Sequence, residues 1–172
     1  MTQLELAAYV VSHLEQEGIK VVLSGGASVS FYTKNKYISR DIDLVNVGFA
    51  RRQVIKRVMG RIGFSEKGRH FSNPQSQYIV EFPQGPLSVG EELVREIKEY
   101  KLSTGTLKLI SPTDCVKDRL CAHYFWGDRQ GLAQAVLVAI SSKVDLKEIE
   151  RWSKVEGKSG EYKVFKNILG SK

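Results

Sequence analysis

The stretch from Ile19 to Val47 constrains the fold more than any other part of this chain. It holds two short runs rich in β-branched residues, Ile19 to Leu23 and Ile42 to Val47. The first stops at Ser24-Gly25-Gly26; after fourteen intervening residues the second opens with Asp41-Ile42-Asp43. Apolar runs of this length bounded by turn residues predict buried strands, and the glycine pair predicts a tight turn into a short helix over 27–32.

Asp-x-Asp on a strand has a definite geometry. Residues i and i+2 project from the same face, about 6.5–7 Å apart, so Asp41 and Asp43 point together while Ile42 and Leu44 point the other way. Like charges placed side by side on a sheet repel, and Asp is a poor strand former. A divalent cation between the two turns that cost into a ligand set, and Mg²⁺ needs few carboxylates because water and substrate phosphates complete its shell. The simpler alternative has both acids facing solvent from the end of an edge strand. The turn favours the cation, because Gly25 and Gly26 let backbone N–H groups approach a phosphate and the helix behind adds its positive end. Ser28 and Ser30 are candidate hydroxyl donors beside it.

Elsewhere the pattern alternates. Leu4, Ala7, Ala8, Val11 and Leu14 recur at helical spacing and Gly18 stops them, while Ala50 to Arg61 reads as a basic helix with Val54, Ile55 and Val58 inward. Strand segments follow at 63–66, 69–71 and 77–82, then an irregular stretch at Pro83 to Pro86, then a hairpin of 97–102 with 106–110. From Pro112 onward the chain reads as four helices, the first pair divided by Gly127-Asp128. This order predicts an α+β fold, a mixed sheet flanked by helices (residues 1–110) with a helical C-terminal region (residues 111–172) packed on it as one unit.

The 172 residues suit a single domain, and no apolar run or N-terminal pattern predicts a membrane span or a signal peptide. A cytoplasmic location is the expectation. Cys115 and Cys121 fall on different faces of one helix and pair with neither each other nor a zinc-type histidine pattern. No P-loop and no Gly-x-Ser-x-Gly occurs. The net charge of +7 favours anionic partners. It is concentrated at 51–70, where seven cations face the single acid Glu66; a solvated helix face is the plain reading of that segment.

A third carboxylate, Glu81, lies in Tyr78-Ile79-Val80-Glu81-Phe82, facing away from Val80 and Phe82. The combination of an apolar residue, Gly-Gly, a spacer and Asp-x-Asp resembles the signature of the polymerase-β-like nucleotidyltransferase superfamily. It is most similar to the small bacterial nucleotidyltransferase-like proteins that include AbiEii-type toxins. Glu81 to Leu87, Ser111-Pro112-Thr113-Asp114, and the Lys117 helix leading to Asp128-Arg129-Gln130 extend the resemblance over most of residues 19–142. Ser39 matches a Ser/Thr of related toxins; Tyr37 and Gln134 stand where they often carry Arg and Asp.

The resemblance implies Mg²⁺-dependent transfer of a nucleoside monophosphate from an NTP. Two Mg²⁺ ions, or Mn²⁺ in their place, would sit on Asp41, Asp43 and Glu81. Gly25, Gly26, Ser28, Ser39 and Lys117 would bind the nucleotide, and RNA, a protein or a small molecule would serve as acceptor. A protein partner in a toxin–antitoxin or phage-defence pair, or a nucleotide- or RNA-binding module without activity, is the alternative it leaves open.

Spacing alone does not choose the cation. Val116, Leu120 and Tyr124 define an inward stripe, and Lys117 and Arg119 fall on opposite sides of it. Asp128 reads first as a helix N-cap, and Trp126 and Trp152 as packing residues.

Overall fold

The computed structural model describes residues 1–172. Helix α1 (Gln3–Gln16) starts at a reciprocal cap in which Thr2 and Glu5 satisfy each other's backbone N–H groups. Its Leu6, Val10, Val11 and Leu14 are buried. Strand β1 (Val21–Ser24) is buried along its whole length, which marks it as central. It passes directly into α2 (Gly25–Tyr32), so the helix begins in the glycine turn itself, two residues before the start the sequence predicts. Strand β2 (Asp41–Asn46) returns antiparallel to β1, with Leu23 opposite Leu44 and Ser24 opposite Asp43.

Helix α3 (Arg52–Arg61) buries Ile55, Val58 and Met59 and turns its cations outward. Strands β3 (Ser65–Lys67), β4 (His70–Ser72) and β5 (Ile79–Glu81) follow; β5 lies parallel to β2 and antiparallel to β4. After a two-stranded ribbon, β6 (Ser88–Val89) with β7 (Glu92–Leu93), the predicted hairpin forms as β8 (Ile97–Leu102) and β9 (Gly105–Ile110). The ribbon is not legible in the sequence, where Pro83 to Pro86 obscure it. The main sheet has seven strands in the order β3-β4-β5-β2-β1-β9-β8, with parallel pairs at β5-β2 and β1-β9. The architecture is therefore α+β, a mixed sheet flanked by helices.

The helices of the second half are α4 (Pro112–Trp126), α5 (Arg129–Ser141), α6 (Leu146–Val155) and α7 (Ser159–Gly170). Ser111 caps α4 ahead of Pro112, Gly127 ends it in the left-handed region at φ 63°, and Asp128 caps α5 as expected. A close approach joins these two helices: a Cβ on Gly131 would stand 2.6 Å from the Arg119 carbonyl oxygen. Trp152 is fully buried, stacks on Tyr124 at 5.8 Å and donates its indole N–H to Val89 O at 3.1 Å, anchoring the ribbon to α6. Trp126 does not pack; it is 86% exposed at the last turn of α4. One cluster of 37 buried apolar residues runs from α1 to α7. No helix is long and apolar enough to cross a membrane.

A candidate metal and nucleotide cleft at the ends of the central strands

Strand register places three polar side chains in one row of the sheet. Asp43 is paired with Ser24 of β1 on one side and with Glu81 of β5 on the other. Paired residues on neighbouring strands project from the same face with Cβ atoms about 4.5–5.5 Å apart. His70 of β4, opposite Glu81, continues the row. Asp41 lies two residues before Asp43 on that same face and is exposed.

The turn closes over this row. Gly25 has φ +64°, a conformation that strains any residue with a side chain, and a Cβ there would collide with the Asp43 carboxylate. Glycine is required on both counts. A Cβ at Gly26 would meet Ser39 Oγ at 3.0 Å. Ser24 caps α2 by backbone geometry but makes no side-chain cap bond, which leaves its hydroxyl and the first N–H groups of the helix at the mouth of the cleft.

The predicted serine donors stand beside the turn with their hydroxyls bonded to backbone groups. Ser28 is fully buried and donates to Leu23 O at 3.3 Å, bracing the turn from inside. Ser30 likewise donates to Gly26 O and accepts from Ser39 N. Ser39 spends its hydroxyl on the backbone of Asp41, at 3.1 Å from its N and 3.2 Å from its O. Gln3 adds two further bonds from its amide, to Ser39 O at 2.8 Å and Asp41 O at 3.1 Å. Ser39 and Gln3 therefore fix where β2 begins.

Lys117 and Arg119 divide as their spacing requires. Lys117 is buried against Glu148 at 2.8 Å and Asp114 at 3.8 Å, on a cavity of about 780 Å³ that Asp43 does not line. Arg119 is the cation on the Asp43 side. Its guanidinium is held by Asp118 at 2.5 and 2.9 Å and by Gln134 at 3.3 Å, and it lines a cavity of about 270 Å³ with Ser24, Gly25, Asp43 and Gln84. The expectation that Lys117 faces the cleft is thus not met. Sequence reasoning does not single out Ser24, Asp118 or Gln84. The signal for Arg119 is indirect, since the Gly131 contact that draws α5 onto α4 also sets Gln134 against it.

Electrostatics mark Asp43 as the strained member of the row. Burial, with Glu81 and Asp41 adding like-charge repulsion, pushes its carboxyl up to about 6, while Arg119 pulls the other way. A bound cation would relieve that repulsion. The carboxylates do not close on a common point as a three-residue cage. The set fits Mg²⁺ nonetheless, an ion usually held by one or two carboxylates with water and phosphate oxygens supplying the rest. Asp43 and Glu81, with Asp41 at the rim, are the residues that would hold it.

Similarity to known proteins enters at the level of the fold. No family model matches the chain, and no curated protein matches it. Among solved structures, a crystal structure of ANT(2")-Ia in complex with adenylyl-2"-tobramycin is similar with a TM-score of 0.56 at 13% identity, over 95% of this chain and 98% of that one. The solution structure of the same antibiotic-resistance factor gives 0.55 at 13% identity, over 99% and 96%. An antigenic nucleotidyltransferase-like protein from Paracoccidioides brasiliensis gives 0.58 at 16% identity, over 79% of this chain and 75% of that one. At these identities the likeness is one of architecture, and the architecture is that of nucleotidyltransferases.

Proposed function

We propose that this chain is a Mg²⁺-dependent nucleotidyltransferase that moves a nucleoside monophosphate from an NTP to an acceptor hydroxyl. The observation that carries the reading is the sheet row Ser24–Asp43–Glu81, closed over by a glycine that no other residue can replace without meeting Asp43. The fold shared with nucleotidyltransferases supports it.

The backbone N–H groups of Gly25 and Gly26 and the Ser24 hydroxyl bind the triphosphate, and Arg119 lies across the cavity to meet its charge. Asp118 and Gln134 keep that guanidinium from swinging away. Asp43 and Glu81, with Asp41, would hold the divalent cation, which when bound would offset charge developing on the attacking and leaving oxygens. The acceptor oxygen forms a bond to the α-phosphorus, the bond from that phosphorus to the bridging oxygen breaks, and pyrophosphate departs. Glu81 takes the acceptor's proton. Lys117 stabilises the packing of α4 on α6 and does not touch the nucleotide.

Incubation of the protein with each α-labelled NTP, Mg²⁺ and total cellular RNA or lysate tests this. Label transferred by the wild type, lost with EDTA and lost in Asp43→Asn, is the expected result. If wild type and Asp43→Asn label the same acceptors equally, the assignment is wrong.

A further inference from the structure

The acceptor side of the cleft has a chemical character of its own. Glu81 opens onto a groove of about 410 Å³ that is also lined by Arg52, Gly68 and Arg69. Arg52 is locked there, bonded to Glu66 at 2.8 Å and to Arg69 O at 2.9 Å, with its guanidinium 4.6 Å above the Phe71 ring. Glu66, the only acid between 51 and 70, is consumed by Arg52 and Lys56. Arg51, at the N-cap of α3, Lys67, at the end of β3, and Arg69, on the groove itself, are all exposed and carry no partnering acid. A concentrated positive surface therefore adjoins a site carboxylate.

An aromatic ring stands in the same region. Phe49 is 59% exposed and holds φ +54°, a left-handed conformation that is rare for a bulky residue and is kept only where the surroundings enforce it. The Asn46 side chain does so, donating to Ala50 O at 2.8 Å and accepting from Ala50 N at 3.0 Å. The ring lies against the 83–86 segment, its Cζ 3.6 Å from where a Cβ on Gly85 would be. A fixed, solvent-facing ring against the 83–86 segment, whose Pro83 lines the groove, and two residues before the unpaired Arg51, supplies with the groove's cations the pairing by which proteins hold single strands: cations follow the phosphates and rings stack the bases.

We propose that Phe49, Arg51, Arg52, Lys67 and Arg69 form a docking surface for a single-stranded polynucleotide whose end presents its hydroxyl at Glu81. The assignment rests on the nucleotidyl-transfer reading of the cleft for its purpose, but the surface is testable without it. A phosphodiester chain is the ligand chemistry; RNA and DNA are its two sources, and the 2′-hydroxyl separates them.

The test measures fluorescence anisotropy of a labelled single-stranded oligoribonucleotide, the matching DNA strand, and the duplex, in EDTA and without NTP. Wild type is expected to bind the single strands more tightly than the duplex. Phe49→Ala is expected to weaken binding about five- to a hundredfold. The double variant Lys67→Glu, Arg69→Glu is expected to flatten the salt dependence by about 0.7 in log–log slope for each phosphate it no longer neutralises. Both changes lie on exposed positions, and unaltered thermal melting would exclude misfolding. Asp43→Asn is expected to bind the RNA as wild type does; a wild-type protein that binds RNA but transfers no label counts against the function and leaves the surface standing. The proposal is overturned if wild type binds no single strand, if the charge-reversed and Phe49→Ala proteins bind as wild type does, or if polyglutamate competes with RNA equally well and Phe49→Ala has no effect.

Discussion

Gly25 and Asp43 are packed so closely that the space a Cβ would need on one is already filled by the carboxylate of the other. The contact joins the glycine turn to the acid proposed to hold the metal, so either residue governs where the other sits. Gly25→Ala should lower stability by about 1–3 kcal/mol through the forced φ +64° conformation alone. It should also displace Asp43 and so weaken Mg²⁺–NTP binding. Gly60→Ala in α3, where an added Cβ meets nothing, should instead be neutral or stabilising by about 0.5–1 kcal/mol. Urea unfolding with nucleotide titration on both variants checks the contrast.

Asp43 also predicts a pH dependence. Its folded-state pKa, pushed up to about 6, lies above the value near 3.9 expected for an unfolded Asp. The folded chain thus holds the proton more tightly. This contribution to stability is complete below about pH 4 and is lost as pH rises through about 6. In metal-free buffer Asp43→Asn should therefore be more stable than wild type at pH 8, by about 1–3 kcal/mol, and should show no such gain near pH 4. Adding Mg²⁺ with NTP should raise the melting temperature of wild type and leave the variant's unchanged. Chemical unfolding at three pH values, with and without metal, reads both effects.

The two cations of α4 should separate cleanly. Arg119→Met removes the guanidinium from the Asp43 cavity and should reduce NTP affinity about tenfold or more, a charge-assisted hydrogen bond being worth about 1.5–3 kcal/mol. Lys117→Met breaks the bond to Glu148 and should cost about 1–3 kcal/mol of stability with nucleotide affinity retained. Equilibrium nucleotide binding beside thermal melting distinguishes them; the reverse pattern would return the phosphate role to Lys117.

The tryptophans make a parallel pair. Trp152→Ala should destabilise the fold by about 3–5 kcal/mol, since the ring is fully buried and its N–H is bonded to Val89 O. Trp126→Ala should leave stability within about 0.5 kcal/mol. Denaturant titrations suffice to show it.

What the sequence discloses follows the range of the physics involved. Strand periodicity acts over two residues, so the shared face of Asp41 and Asp43 is legible directly. The same holds for the caps at Ser111 and Asp128 and for the hairpin of β8 and β9. The pairing of Asp43 with Glu81 is not legible, because it depends on a distant segment, β5, lying parallel beside β2 in one particular register. Ser28 reads as a phosphate donor only if the helix begins at Ala27; with its start at Gly25, the hydroxyl turns back to Leu23 O. Lys117 and Arg119 diverge by spacing alone, but the packing of α4 against α5 and α6 sets which of them meets the cleft. Trp126 shows the limit of composition: a large ring at a helix end is buried only if another element covers that end.

The measurement that bears most directly on the cleft is Mn²⁺ binding by electron paramagnetic resonance, with a non-hydrolysable NTP analogue present. The wild-type chain should take up Mn²⁺ in a nucleotide-dependent manner, and Asp43→Asn and Glu81→Gln should each lose that uptake while remaining folded. Unchanged Mn²⁺–nucleotide binding in both variants would contradict the placement of the metal between β2 and β5, and with it the proposed chemistry.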